Sequence, residues 1–309
     1  MNRSFIYMLL SVLLTSCSHT VVANSIVIGS LREGILFESV KTYAVNTAGA
    51  ELASSLPFSD AYKAEWSPDR QWIAYQTQDT AKRTDPQIFV VKSDGTKKFT
   101  LTNNVYPCGF EPRWSPDGKR IVAFFCAQNG KDGIYTVDVS CIDSKEDCIF
   151  GYKYVADPGS TPIWSSDGKQ IAFTNPNHQL IVVSLEPLGN TRIISPKDME
   201  CYDSAWSPTS NDIAVSCYVP NKGANIFLVN PDGRNFRNIS NSESRDLLPT
   251  WSPDGTRIAF VSDRFGSRQI IYPGISSDAV YVMNNDGTSV KRISLYNNEI
   301  INWIDWVSQ

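Results

Sequence analysis

Short apolar runs recur along the chain, each preceded by the same kind of polar turn. Trp72-Ile73-Ala74-Tyr75, Ile121-Val122-Ala123-Phe124, Ile171-Ala172-Phe173, Ile213-Ala214-Val215 and Ile258-Ala259-Phe260 have the β-branched and aromatic character of buried strands. Ahead of them stand Trp66-Ser67-Pro68-Asp69, Trp114-Ser115-Pro116-Asp117-Gly118, Trp164-Ser165-Ser166-Asp167-Gly168, Trp206-Ser207-Pro208 and Trp251-Ser252-Pro253-Asp254-Gly255. The tryptophans follow one another at 48, 50, 42 and 45 residues, a period that signals propellers or solenoids. The turn predicts a hairpin, because Pro presets φ, Asp bonds the turn backbone and Gly accepts positive φ.

Between successive hairpins lies a second one, an apolar run that meets an Asp-Gly turn and leaves through a polar strand. Ile88 to Thr102 around Asp94-Gly95, Ile226 to Ser240 around Asp232-Gly233 and Val280 to Ser294 around Asp286-Gly287 show it, and Ile134 to Tyr154 and Leu180 to Ser195 fit with altered turns. Thr42-Tyr43-Ala44-Val45 leading to Glu51-Leu52-Ala53 makes a sixth. Each unit is thus four antiparallel strands, too small to cover its own faces, so neighbouring sheets must cover one another. The expectation is an all-β, six-bladed β-propeller over residues 25–309. Five tryptophan turns are complete, and the missing inner strand is Ile304-Asp305-Trp306-Val307. That strand should pair near residues 26–56 and close the ring with one strand from one end of the chain and three from the other.

The Trp-Ser-Pro-Asp-Gly-Lys/Arg-x-Ile-Ala-Phe pattern, continued by Val261-Ser262-Asp263-Arg264-Phe265-Gly266, resembles the WD-repeat-related propeller repeat of the TolB family. The resemblance implies the fold over the whole mature chain. It says less about activity, because the same repeat occurs in TolB, in peptidase-associated propellers and in some polysaccharide lyases. TolB carries an α/β domain ahead of its propeller, for which this chain leaves no room.

Arg3 followed by an apolar run from Phe5 to Leu14 reads as a secretory signal, too short to span a bilayer. It ends in Leu14-Thr15-Ser16-Cys17, which resembles the lipobox of bacterial lipoproteins. On that reading residues 1–16 are removed, Cys17 is lipidated and residues 17–24 form a tether. Ser18 in place of Asp then implies the outer membrane by family resemblance. Cleavage after Ala23 is the alternative and would release a soluble periplasmic or secreted protein. The formal charge of −4 becomes −5 once Arg3 is lost, which argues against a nucleic-acid partner.

Six of the seven cysteines lie beyond Cys17, and an even number in an exported chain reads as a disulfide framework. Cys108 and Cys126 are centred on Asp117, and Cys201 and Cys217 on Thr209, the same repeat position in two blades. Cysteines equidistant from a hairpin turn face each other, so the expected bridges are Cys108–Cys126 and Cys201–Cys217. Cys141 and Cys148 then pair by elimination. The first two should stiffen two adjoining loop groups at the channel mouth, since in propellers the chain enters the inner strand from the face where binding usually occurs.

Catalytic constellations are missing from the sequence. There is no Gly-x-Ser-x-Gly elbow and no EF-hand or phosphate-binding loop, and of two histidines only His178 lies in the folded part, within a loop. The lyases with related repeats use several histidines to hold a metal. No cofactor is implied, although carbonyls in the channel could hold calcium without a motif. Asp69, Asp117, Asp167 and Asp254 are explained by their turns. Lys63, Glu65, Glu111, Arg113, Tyr202 and Asp203 stand just ahead of the inner tryptophans. With Tyr106, Phe110, Arg245, Asp246, Arg264, Phe265 and Arg268 from neighbouring loops they form the expected rim, and Asp263 to Asp278 is the longest insertion. The leading expectation is a monomeric, non-catalytic envelope module that binds a protein or peptide. A glycan lyase or hydrolase in the channel mouth is the alternative, and a purely structural ring a third reading.

Overall fold

In the computed structural model, residues 25–32, 41–46, 51–53, 61–77, 85–144, 148–220, 223–264, 278–293 and 299–306 are described. The signal segment, Cys17, the tether, Phe265 and Arg268 lie outside them. The first three strands are β1 (Ser25–Arg32), β2 (Lys41–Asn46) and β3 (Glu51–Ala53). Four consecutive strands follow in each of five sheets. The first holds β4 (Ala61–Trp66), β5 (Trp72–Thr77), β6 (Ile88–Lys92) and β7 (Lys98–Thr100). The second holds β8 (Cys108–Trp114), β9 (Arg120–Cys126), β10 (Gly133–Asp138) and β11 (Gly151–Ala156). The third comprises β12 (Ser160–Trp164), β13 (Gln170–Thr174), β14 (Leu180–Leu185) and β15 (Leu188–Ile193). In the fourth are β16 (Glu200–Trp206), β17 (Ile213–Val219), β18 (Gly223–Val229) and β19 (Arg237–Asn238). The fifth has β20 (Asp246–Trp251), β21 (Arg257–Ser262), β22 (Ala279–Asn284) and β23 (Lys291–Arg292), and β24 (Glu299–Trp306) comes last.

The expectation of six equivalent blades is corrected by this topology. Five blades are each made of four consecutive strands with a tryptophan turn of their own. The remaining four-stranded sheet, in the order β24-β1-β2-β3, is a composite of the two ends of the chain and carries no Trp-Ser-Pro-Asp turn. Its seam is the antiparallel pairing of β24 with β1, from Ile26 opposite Trp306 to Arg32 opposite Glu299, with a register shift at Gly29/Ser30. The physical reason is continuity: a ring built from one chain has a single junction that hydrogen bonds, not a peptide link, must hold.

Inner strands contact one another in the circuit β4, β8, β12, β16, β20, β24 and back to β4, which encloses a channel. The second strand of each blade is apolar on both faces because each face meets a neighbouring blade. Ile73, Ile121, Ile171, Ile213 and Ile258 are all fully buried, whereas the outer strand β15 is exposed throughout. The cores accordingly lie between blades. Trp72, Ile88 and Leu101 of one pack on Ile121, Phe125 and Trp114 of the next, and β24 contributes Ile301, Ile304 and Trp306 to a layer with Val261 and Val280.

Candidate functional site

Just ahead of its tryptophan, each of the five consecutive blades breaks the pairing of its inner strand with the next one. The register shifts fall at Ala61/Lys63, Phe110/Arg113, Ser160/Ile163, Cys201/Ser204 and Leu247/Thr250. A bulge of this kind adds a residue and re-aims a side chain. Three of the residues at the break are forced into the left-handed region, Glu111 with φ 56°, Thr161 with φ 51° and Leu248 with φ 53°. For non-glycine residues this costs about 1–3 kcal/mol each, and such strain clusters at functional sites.

Glu111 is the centre of the arrangement. Its carboxylate accepts hydrogen bonds from the Lys63 ammonium of the preceding blade and from the backbone N–H of Thr161 in the following one. Its own N–H donates to Gln76 Oε1 at 2.9 Å. One side chain therefore ties three blades together. Burial pushes the Glu111 carboxyl up, but the charge and hydrogen bond of Lys63, the Thr161 N–H and the charge of Arg113 outweigh it and hold the group below the ordinary glutamate range. Asp203, in the same network, goes the other way. Burial raises it, and repulsion from Glu111 adds to this against the attraction of Lys63 and Arg113. Lower in the channel Glu65 Oε2 accepts the Trp114 N–H at 2.6 Å, and Glu65 Oε1 lies 3.9 Å from Arg113 Nη1.

At the loop end, where the inner strands begin, a cavity of about 590 Å³ opens over the first three consecutive blades. Lys63, Gln76 and Glu111, with Ser160, Thr174 and Asn175, supply its polar lining, while Phe110, Phe124, Pro86, Pro158 and Pro176 supply apolar walls. His178 borders it from the turn after β13, held with φ 56° by an N–H to Asn175 O bond of 2.9 Å, its ring 4.9 Å from that of Tyr202. Apolar walls with a few fixed polar groups, at this volume, are the usual make-up of a binding pocket.

Three disulfides join Cys108 to Cys126, Cys141 to Cys148 and Cys201 to Cys217. The first and third link residues directly opposite each other in the ladders, at the loop end of their blades. Those blades do not adjoin, contrary to expectation, because the blade β12–β15 stands between them. The bridges thus flank the blade that contributes Gly159, Ser160, Thr174 and His178 to the cavity. Asp143, within the loop closed by Cys141–Cys148, accepts the Trp72 indole N–H of the preceding blade at 3.0 Å.

The other rim residues are placed differently. Tyr106 stacks on Tyr152 at 4.4 Å and meets Tyr135 and Phe125 edge-on, inside an aromatic cluster. Tyr202 donates to Glu200 Oε2 at 2.8 Å. Arg264 turns inward onto Asp246, Nη2 to Oδ2 2.7 Å, with side chains 12% and 0% exposed, and lies over the Phe260 and Tyr281 rings. Arg245 pairs with Asp278 at 3.1 Å. Gln76, Pro86 and Thr161 were not singled out in the sequence, where no motif marks them, and Phe124 was read only as a residue of a buried strand.

The opposite, turn end of the channel is a collar of Trp66, Trp114, Trp164, Trp206, Trp251 and Trp306 around a second cavity of about 380 Å³. The indole N–H of one blade reaches back to the preceding inner strand: Trp114 to Glu65 O at 3.2 Å, Trp164 to Arg113 O at 3.2 Å and Trp251 to Ala205 O at 3.1 Å. Among the described residues no group of three or more His, Cys, Asp or Glu side chains is placed to hold a metal.

Sheets arranged around a channel that is pocketed at one end and collared by tryptophan at the other define a β-propeller. Residues 152–303, just under half of the chain, match the TolB beta propeller domain model. A TolB homologue of Chlorobium luteolum is 29% identical over 174 residues, which are 50% of this chain and 39% of that protein. The match therefore spans well under two thirds of that relative's length. The crystal structure of TolB from Acinetobacter baumannii superimposes with a TM-score of 0.69 at 17% identity, covering 93% of this chain and 67% of that one. An oligogalacturonate lyase in complex with manganese shares the fold at a TM-score of 0.51 and 13% identity, over 88% of this chain and 74% of the lyase.

Proposed function

We propose that this chain is a non-catalytic binding module of the bacterial cell envelope, whose loop-end pocket docks a protein or peptide. On this reading residues 1–16 are a signal, Cys17 carries lipid at the outer membrane, residues 17–24 are a tether, and the propeller acts as a monomer. The observation that carries it is the strained, bonded position of Glu111. A carboxylate fixed by Lys63 and Thr161 beside Phe110 is preorganised, which lowers the cost of ordering a site on association. Three disulfides fit an exported protein, and the TolB-type repeat fits an envelope role.

The test is photocrosslinking in envelope extracts with benzoylphenylalanine at position 110 and, as a control, at Leu188 on the exposed outer strand β15. A discrete adduct from position 110 alone supports the reading, and identical adducts from both positions sink it. The alternative, a glycan lyase or hydrolase working in the channel mouth, shares its fold with a lyase. It requires chelator-sensitive turnover of a polysaccharide by the purified chain.

A further inference from the structure

Four of the tryptophan turns carry an aspartate, and they differ at the residue after it. Gly118, Gly168 and Gly255 stand there with φ 68°, whereas the first turn has Arg70 with φ 59°. The backbone bond is the same in all four, Arg70 N to Ser67 O at 2.9 Å matching Gly118 N to Ser115 O at 2.9 Å. Left-handed φ disfavours an L side chain, so arginine costs stability where glycine would not.

The Arg70 side chain lines the turn-end cavity among the collar tryptophans. Its Nε and Nη2 are shielded from solvent and have no hydrogen-bond partner among the described residues, and burial pushes the guanidinium pKa down. Two guanidinium nitrogens shielded from water and left without an acceptor cost stability, even though the side chain as a whole is only partly buried. Two costs thus meet at one residue, in a turn that glycine closes elsewhere in the chain.

An anionic ligand relieves the second cost. Among the described residues the charged side chains lining the cavity are Arg70, Arg113 and Glu65, two positive against one negative, which leaves one positive charge. That balance suits a single carboxylate, which arginine grips through two parallel N–H bonds, better than a phosphate. Indole and proline rings make up much of the wall, and the Ser67 and Ser115 hydroxyls are already committed to Asp69 and Asp117. Such a wall favours an apolar side chain over the many hydroxyls of a sugar.

We infer that the turn-end mouth binds the free C-terminal carboxylate of a peptide, paired with Arg70, with its last side chain set among the tryptophan and proline rings. The inference does not depend on the loop-end pocket.

Tryptophan fluorescence of the full chain, titrated with acetyl-Pro-Phe as the free acid, tests it against the C-terminal amide and against digalacturonate. The expected result is saturable binding of the acid, at least about tenfold weaker binding of the amide, and no preference for the sugar acid. Arg70→Gly should abolish carboxylate binding while the Tm stays level or rises, because glycine suits the turn, and Arg70→Gln gives the same loss in a second background. Equal binding of acid and amide, undiminished binding by both variants, no saturable binding, or preference for digalacturonate would overturn it. Crosslinking from position 110 should be untouched by either variant.

Discussion

At the turn end of the channel one set of bonds is repeated. Ser67, Ser115, Ser165 and Ser252 donate to the aspartate two residues on at 2.6–2.7 Å, and each hydroxyl accepts the N–H that opens the next strand at 2.9–3.0 Å. At the loop end the blades share no such device. One is tied by Cys108–Cys126, another by Cys201–Cys217, a third by the buried Arg264–Asp246 pair, while Glu111 spans three blades. Asp246 opposite Ser262 and Cys201 opposite Cys217 even occupy the same ladder position, five residues before their tryptophans. Repetition closes a ring with one inexpensive turn, whereas individual links at the other end let each blade present different side chains. The difference assigns ring closure to the repeated turns and, on the proposed reading, docking of a protein to the loop end, while the one turn that departs from the repeat, at Arg70, is where the turn end gains a site of its own.

The largest effect should come from breaking the repeated end. Trp164→Ala removes a buried indole, its bond to Arg113 O and the Arg120 guanidinium stacked 4.6 Å from its ring centre. It should cost about 3–5 kcal/mol in chemical denaturation, well beyond Phe110→Ala at the half-exposed loop end. Next comes the Cys201→Ser, Cys217→Ser pair, expected to lose about 2–4 kcal/mol. The Cys141→Ser, Cys148→Ser pair should lose less, because it closes 7 residues of sequence instead of 16, and melting of the oxidised proteins orders the two.

A smaller effect tests the turn itself. The Ser252 hydroxyl and the Thr256 backbone and side chain hold the Asp254 carboxyl at about 2. A depressed folded-state pKa stabilises above the ordinary aspartate value of about 3.9 and loses that contribution as pH falls toward the folded value. Asp254→Asn should therefore lower the Tm at neutral pH and flatten its decline between about pH 4 and pH 2. The smallest shift carries the opposite sign. Because the folded Asp203 pKa is raised, its ionised form opposes folding above that pKa, and the penalty fades as the pH drops through it. Asp203→Asn should thus raise the Tm slightly at pH 7, with the gain vanishing in acid.

Much of the repeated end was legible in the sequence, because a turn writes its chemistry into adjacent residues: Trp-Ser-Pro-Asp-Gly names the hairpin, its Asx bond and its positive φ together. The cysteine pairs were legible for a related reason, since equal spacing from a turn fixes ladder partners. The loop end was harder. A bulge adds one residue and reverses which side chain faces the channel, and no residue type announces it, so the roles of Thr161 and Gln76 stayed hidden. Charge alone also failed to separate Glu111, which borders the cavity, from Arg264, which folds back onto Asp246 among aromatic rings. Arg70 left a readable trace, an arginine where the sister turns have glycine, and only its solvent-shielded nitrogens give that trace a meaning.

The division between the two ends is tested most directly by hydrogen–deuterium exchange of the chain alone and saturated with the protein crosslinked at position 110. The account predicts added protection in 107–113, 158–163 and 174–179 and none in the turns at 67–71, 115–119 and 252–257. Protection confined to those turns or to the outer strands, with the loop end unchanged, would contradict it.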